Sequence, residues 1–169
     1  MKKREFKKEA PVAPVKKPRV TGVGVKPDPK YGNMLLSKFI NCVMHSGKKS
    51  TAQGLVYSAM DIMAERTKEE PLKVFMQALE NIKPIVEVKS RRVGGANYQV
   101  PVPVSPKRQL SLAIRWLLQA ARSKSGKSFD IILAGEFVDA FKKEGAAMTM
   151  RENTHRMAEA NKAFAHFAW

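Results

Sequence analysis

The sequence holds one cysteine, Cys42, so no disulfide can form within the chain. That suits a reducing compartment. Set inside a helical pattern, Cys42 is expected to be a small buried or half-buried apolar side chain. The three histidines, His45, His155 and His166, have no ligand spacing and no cysteine pair beside them. A zinc site is therefore not expected. No apolar run approaches the length of a membrane span, and no secretory apolar segment follows the basic start. Acidic residues are scarce as well: 15 Asp and Glu stand against 31 Lys and Arg, a formal charge of +16. An excess of that size repels itself and implies a polyanionic partner. With membranes set aside, the partner expected is nucleic acid.

Signatures of catalysis are missing too. Gly126-Lys127-Ser128 looks like the end of a phosphate loop, but Ala121 stands where that pattern needs glycine, and a helix rather than a strand precedes it. Gly47-Lys48-Lys49-Ser50 has Lys49 where Ser or Thr is required. Gly22 and Gly24 form a lone fragment in a proline-rich stretch. No nucleophile and base can be picked out as a set. No enzymatic activity and no cofactor are expected.

What is present is charge in two blocks. Residues 1–32 carry ten basic and three acidic residues, and residues 83–127 carry ten basic residues with Glu87 as the only acid. The rest holds eleven of each, the mixture expected of an ordinary solvated surface. The two blocks therefore account for the whole excess. Residues 1–27 read as a basic arm, with Lys2, Lys3, Arg4, Lys7, Lys8, Lys16, Lys17 and Arg19 broken by Pro11, Pro14 and Pro18. Its few large apolar residues cannot offset the entropy of ordering it, so it should lie along phosphates once bound. It lacks serine and is lysine-rich rather than arginine-rich, unlike a mitochondrial transit peptide.

Residues 28–169 read as one mainly α domain. Leu35, Leu36, Phe39, Ile40 and Val43 mark a first helix. Ala52, Leu55, Val56, Ala59, Ile62 and Met63 mark a second. Pro71 opens a third, with Leu72, Phe75, Leu79 and Ile82, which Pro84 stops. Ser105 and Pro106 open a fourth, with Leu110, Ile114, Leu117 and Ala121 inward. Ser128 caps a fifth, with Phe129, Ile132, Leu133, Phe137 and Phe141, which Gly145 ends. A sixth is expected over Arg151–His166, with Ala160, Ala163, Phe164 and Phe167 near its end. The 3.6 period packs all six in one bundle, with the methionines in its core.

Between the third and fourth helices, at about 85–104, the period changes to two. Val86 and Val88 alternate with Glu87 and Lys89, Gly94-Gly95 turns the chain, and Tyr98–Val104 returns. The tip is expected to be looser than a two-residue loop. Pro101 and Pro103 lie two apart, so they share one edge and cost no ladder bond if that edge faces no partner. They also stop further strands from adding. The result should be a protruding two-stranded β-ribbon standing off the helical body, with Lys89, Arg91, Arg92 and Tyr98 near its tip. Such a ribbon can enter a nucleic-acid groove.

Three runs carry a family resemblance. One is Asp28-Pro29-Lys30-Tyr31-Gly32, followed by Lys38-Phe39-Ile40-Asn41 and Gly47-Lys48-Lys49. The second is the whole hairpin from Val86 to Val102. The third runs from Arg151 to His166 and ends at Trp169. Over residues 27–169 the chain resembles the bacterial form of the ribosomal protein seven family of the small subunit. The resemblance implies six helices, a β-ribbon between the third and fourth, and direct binding to the 3′ major domain of small-subunit ribosomal RNA. It further implies nucleation of head assembly and a place near the exit site for transfer RNA and the path of the leaving messenger RNA. Neighbours would be head and platform proteins, and the setting the cytoplasm, within the small subunit. Some members also repress their own messenger RNA. Carried over by position, the RNA-facing residues are Lys38, Lys48, Lys49, Lys89, Arg91, Arg92, Tyr98, Lys107, Arg108 and Arg115, with Gly94 and Gly95 at the turn. Arg92, Tyr98, His155 and Arg156 match positions near transfer RNA. The stretch before Asp28 is longer than is usual for the family. Without the resemblance, the residues leave open a histone-like DNA-compacting protein, which would use minor-groove arginines, or an RNA-modifying enzyme lacking an evident cofactor site.

Overall fold

A computed structural model describes residues 25–167. The arm residues from Lys2 to Arg19, and Trp169, lie outside the described residues. The element order is α1 (Met34–Val43), α2 (Lys49–Thr67), α3 (Pro71–Ile82), β1 (Val86–Val93), β2 (Ala96–Pro103), α4 (Pro106–Ser123), α5 (Phe129–Phe141), α6 (Ala146–Ala160) and a final 3-10 helix, η1 (Lys162–Phe167). The mainly α architecture with a two-stranded ribbon between α3 and α4 agrees with the sequence.

Helix α5 is the apolar centre, packed against α2, α3, α4 and α6. Phe39 of α1, Phe75 of α3 and Phe137 of α5 meet there with ring centroids 5.5–5.6 Å apart, all fully buried. Edge-on and tilted pairs of this kind add to the burial of the rings themselves. Met60, Met63 and Met148 join this core. Met34, Met76 and Met157 do not; they are exposed, and the expectation that the methionines are core fails at those three.

Helix starts follow their sequence signals unevenly. The Asn33 side chain accepts from the amides of Leu35 (2.7 Å) and Leu36 (3.2 Å), a cap worth roughly 1 kcal/mol. Ser105 and Ser128 occupy the cap positions of α4 and α5, but neither side chain makes a capping bond. Pro106 at the first turn of α4 does the work of fixing the entry angle.

Just before α1, Asp28 is buried and organises the first motif. Its carboxylate accepts from the backbone amides of Lys30 and Tyr31, both at 3.1 Å, and from the Tyr57 hydroxyl at 2.6 Å. Burial first, and then the bond to Asp28, push the Tyr57 hydroxyl above its usual value, so it stays a donor. Lys30 pairs with Asp61 of α2 at 3.0 Å and lies 5.3 Å from the centroids of both the Tyr31 and Tyr57 rings. The Asp-Pro-Lys-Tyr-Gly run is thus a clasp on α2.

The C-terminal region differs from expectation. The sixth helix begins at Ala146 and ends at Ala160, and the chain continues as η1. Gly145 belongs to that helix start rather than to the end of α5. Its φ is +91°, and a Cβ there would fall 2.9 Å from Asp139 Cβ, so any side chain would clash. Phe164 and Phe167 face the ribbon rather than the bundle.

Candidate nucleic-acid interface

The ribbon pairs Val86 with Pro103 through Val93 with Ala96. The Val104 amide donates to the Ile85 carbonyl at 3.0 Å, which makes that pair a bonded one. Bonded and non-bonded pairs alternate in an antiparallel ladder. Pro101 and Pro103 therefore fall at non-bonded positions, where a missing N–H costs nothing. The tip is tighter than expected: Gly94 (φ +58°) and Gly95 (φ +89°) alone connect the strands. Positive φ at both positions is the turn whose twist suits a hairpin.

The ribbon leans on the C-terminal elements as it leaves the bundle. Val100 is fully buried, and β1 and β2 contact α6 while β2 also contacts η1. Tyr98, expected at an open tip, is half-buried, with its ring centroid 5.2 Å from Phe164 and 5.1 Å from Phe167. At the root, the Ile85 amide donates to His155 Nε2 at 3.1 Å. Burial, and then the Arg151 charge, hold the His155 pKa below its usual 6.5, so the ring stays a neutral acceptor.

The cations divide into those committed within the protein and those that are not. Glu87 takes both Lys89 and Arg108, each at 3.4 Å, across a depression of about 500 Å³ between β1 and the start of α4. Lys83 pairs with Glu80. Lys124 forms an ion pair with Glu136, a carboxylate 1% exposed, and lies 3.9 Å from Asp139. That contact is first among the causes that raise the Lys124 pKa. Neither Glu136 oxygen has a well-angled hydrogen bond. Among the described residues no ion pair reaches Lys38, Lys48, Lys49, Arg92, Lys107, Arg115 or Lys127.

Two of these cations, Lys38 and Arg115, meet in one place, together with Arg122. A groove of about 580 Å³ between α1 and α4 is lined by Lys38, Arg115 and Arg122, with Cys42, Ile114 and Leu118 on its apolar side. Cys42 is exposed, not buried as expected, because it sits on the groove face of α1 while Val43 beside it turns into the core. A shallower depression of about 410 Å³, floored by Val43, Leu55 and Phe129, adjoins this groove through Arg122 and has His45 on its rim. Lys48 lies in the neighbouring hollow of about 120 Å³.

Arg122 was not singled out from the sequence. Its guanidinium donates to the Cys42 and Val43 carbonyls, both at 3.4 Å, at the end of α1. The signal was available: Arg108, Arg115 and Arg122 recur every seven residues. On a helix rising 1.5 Å per residue they form one stripe with steps of roughly 10.5 Å. The stripe joins the ribbon's root, where Arg108 and Lys107 sit, to the groove. Arg92, Gly94 and Gly95 are exposed on the ribbon; Arg91 is half-buried; Arg156 is exposed on α6. Lys49 is exposed at the start of α2. Among the described residues no group of three or more His, Cys, Asp or Glu is placed to hold a metal ion, and no helix is long and apolar enough to cross a membrane.

Comparison with known proteins points the same way. Residues 15–162 match the family model described as ribosomal protein S7p/S5e. Small ribosomal subunit protein uS7 of Marinobacter nauticus is 62% identical over 141 residues, covering 83% of this chain and 90% of that protein. The uS7 protein of Bordetella petrii is 59% identical over 145 residues, covering 86% and 93%. That of Thermomicrobium roseum is 55% identical over 154 residues, covering 91% and 99%.

Proposed function

This chain belongs to the S7p/S5e family of ribosomal proteins, and from that premise we infer that it is a constituent of the small ribosomal subunit, at work in the cytoplasm, that grips ribosomal RNA with two cooperating surfaces. One is the α1–α4 groove with its arginine stripe. The other is the ribbon. The observation that carries this reading is the gathering of Lys38, Arg115 and Arg122 around one groove with no carboxylate among its lining residues. Outside the groove some lysines do have acidic partners, as at Lys30 and Lys73. A basic, acid-free groove attracts phosphates, and arginine forks suit phosphate oxygens and base edges alike.

The finer reading follows the family resemblance. The RNA is the 3′ major domain, the protein nucleates the head, and the ribbon with α6 faces exit-site transfer RNA and departing messenger RNA. Arg92 at the ribbon end and Arg156 on α6 are both exposed and able to reach such partners. The arm, rich in lysine, adds phosphate contacts. The protein acts by binding and positioning, without catalysis.

The test compares binding of the full chain to a folded fragment of the 3′ major domain and to random duplex DNA of equal length. A clear preference for the RNA fragment, together with co-sedimentation with the small subunit in a native lysate until ribonuclease is added, is the expected result. Equal affinity for both nucleic acids would put the protein with general compacting proteins and overturn the reading.

A further inference from the structure

Besides the packing of Val100 and of both strands against α6, the C-terminal segment makes two specific contacts with the ribbon. At its root, the Ile85 peptide bonds on both sides: its carbonyl accepts from Val104 and its amide donates to His155 of α6. Farther out, Tyr98 packs between Phe164 and Phe167 of η1. The two contacts lie on opposite strands, since Ile85 precedes β1 and Tyr98 is in β2. One contact would leave a pivot. Two contacts on different strands remove the swing and the roll.

We propose that α6 and η1 form a brace that presets the direction of the ribbon, with His155 as the positioning residue at its root and Phe164 and Phe167 holding Tyr98. The ribbon then meets RNA as a fixed arm. That last clause rests on the function proposed above; the brace itself does not.

Geometry shows why a brace would matter. Eight residues at about 3.3 Å each give the ribbon a reach of roughly 26 Å, so a swing of about 20° would carry its tip by roughly 9 Å. A two-stranded ribbon standing alone is only marginally ordered. Ordering it on binding weakens affinity, and presetting it avoids that loss. His155 and the two phenylalanines are all half-buried, outside the hydrophobic core, so their removal tests the brace without emptying the bundle.

The experiment uses the full chain with Cys42→Ser, carrying spin labels at Ala96→Cys near the tip and Glu65→Cys on α2. The label-to-label distance distribution is measured in the free protein. The unbraced variants are His155→Ala and the pair Phe164→Ala with Phe167→Ala. Each should broaden the distribution, and the two combined should broaden it by on the order of 9 Å. His155→Gln should restore the narrow distribution, because its side-chain carbonyl can accept the Ile85 amide. Melting temperatures should barely move. An unchanged distribution in every unbraced variant would overturn the brace. Binding to the RNA fragment is read in parallel and should weaken about three- to tenfold when the ribbon is freed. A broadened ribbon with unchanged RNA affinity would leave the brace standing and remove the RNA clause. Loss of all preference for RNA over duplex DNA in the unsubstituted protein would instead refute the function proposed above.

Discussion

Replacing Lys124 by Met strips the cation from a carboxylate that the fold buries. Glu136 is 1% exposed, in the middle of α5, and its ion pair is with Lys124. Removing one partner of a buried pair leaves an uncompensated charge, at a cost of about 3–5 kcal/mol. The Lys124 side chain is 47% exposed, so solvent already screens part of the pair. The lower end, about 3 kcal/mol, is the expected loss. For a domain of this size that lowers Tm by roughly 10 °C. Removing both charges together, as Lys124→Met with Glu136→Leu, should recover most of the loss, since apolar replacement of a buried pair is often neutral or better. The assay is urea and thermal unfolding of all three variants at pH 7. A loss below about 1 kcal/mol for Lys124→Met, or a double variant no better than the single, would show that the carboxylate is satisfied by something other than Lys124.

Other expectations bear on binding and on pH. Reversing Arg91 and Arg92 should flatten the slope of log affinity against log salt by about 1.8 if both touch phosphates, while reversing Lys142 and Lys143, exposed beyond the end of α5, should change it little; RNA titrations from about 50 to 200 mM salt decide this, and equal effects would mean that only total charge matters. His155 has a lowered pKa in the folded chain, so its contribution is present above its unfolded value near 6.5 and is lost as pH falls through the lower folded value. Hydrogen exchange at the Ile85 amide should therefore accelerate, relative to other amides, in acid but not at pH 7–8, and His155→Gln should remove that dependence. Asp28→Ala strips the acceptor from the Tyr57 hydroxyl and two backbone amides and should cost roughly 2–3 kcal/mol, read by denaturant unfolding, whereas a neutral effect would mean water replaces the clasp. Deleting residues 1–26 should leave Tm nearly unchanged and lower both RNA affinity and its salt slope; a large fall in Tm would show that the arm packs on the domain.

Much of the bundle was legible because its periodic residues have no competing role. Phe39, Phe75 and Phe137 each sit on a 3.6-residue stripe, and that period alone sends them to one core. The alternation around Val86 and Val88, with prolines two apart, likewise announced the ribbon. What the pattern could not give was which partner a face would choose. Phe164 and Phe167 read as more bundle stripe, yet they serve the ribbon, because the chain leaves α-helical geometry at Ala160 and turns them toward Tyr98. Charge counting had the same limit. It located the basic block at 83–127 but not that Lys83, Lys89, Arg108 and Lys124 within it have carboxylate partners. Glu87 was visible as the lone acid of that block. Glu136 was not, since a glutamate on a helix gives no sign of burial. Cys42 was misjudged for a related reason: one residue's shift around a helix moves a side chain by about 100°, from core to groove.

The Gly94-Gly95 turn has a consequence for how this arm can change over evolutionary time. A two-residue turn of this twist closes on a bonded pair, here Val93 with Ala96, and the parity of every pair below follows from it. Adding one residue to each strand would convert the Pro101 and Pro103 positions into bonded ones, where proline cannot donate. It would also turn Val100 and Tyr98 away from the faces that now bury them. Growth or shrinkage near the tip must therefore come in increments of two residues per strand, four in the chain, each changing the reach by roughly 6.6 Å. The arm's length is quantised: intermediate lengths require a bulge, a different turn, or different residues where the two prolines stand.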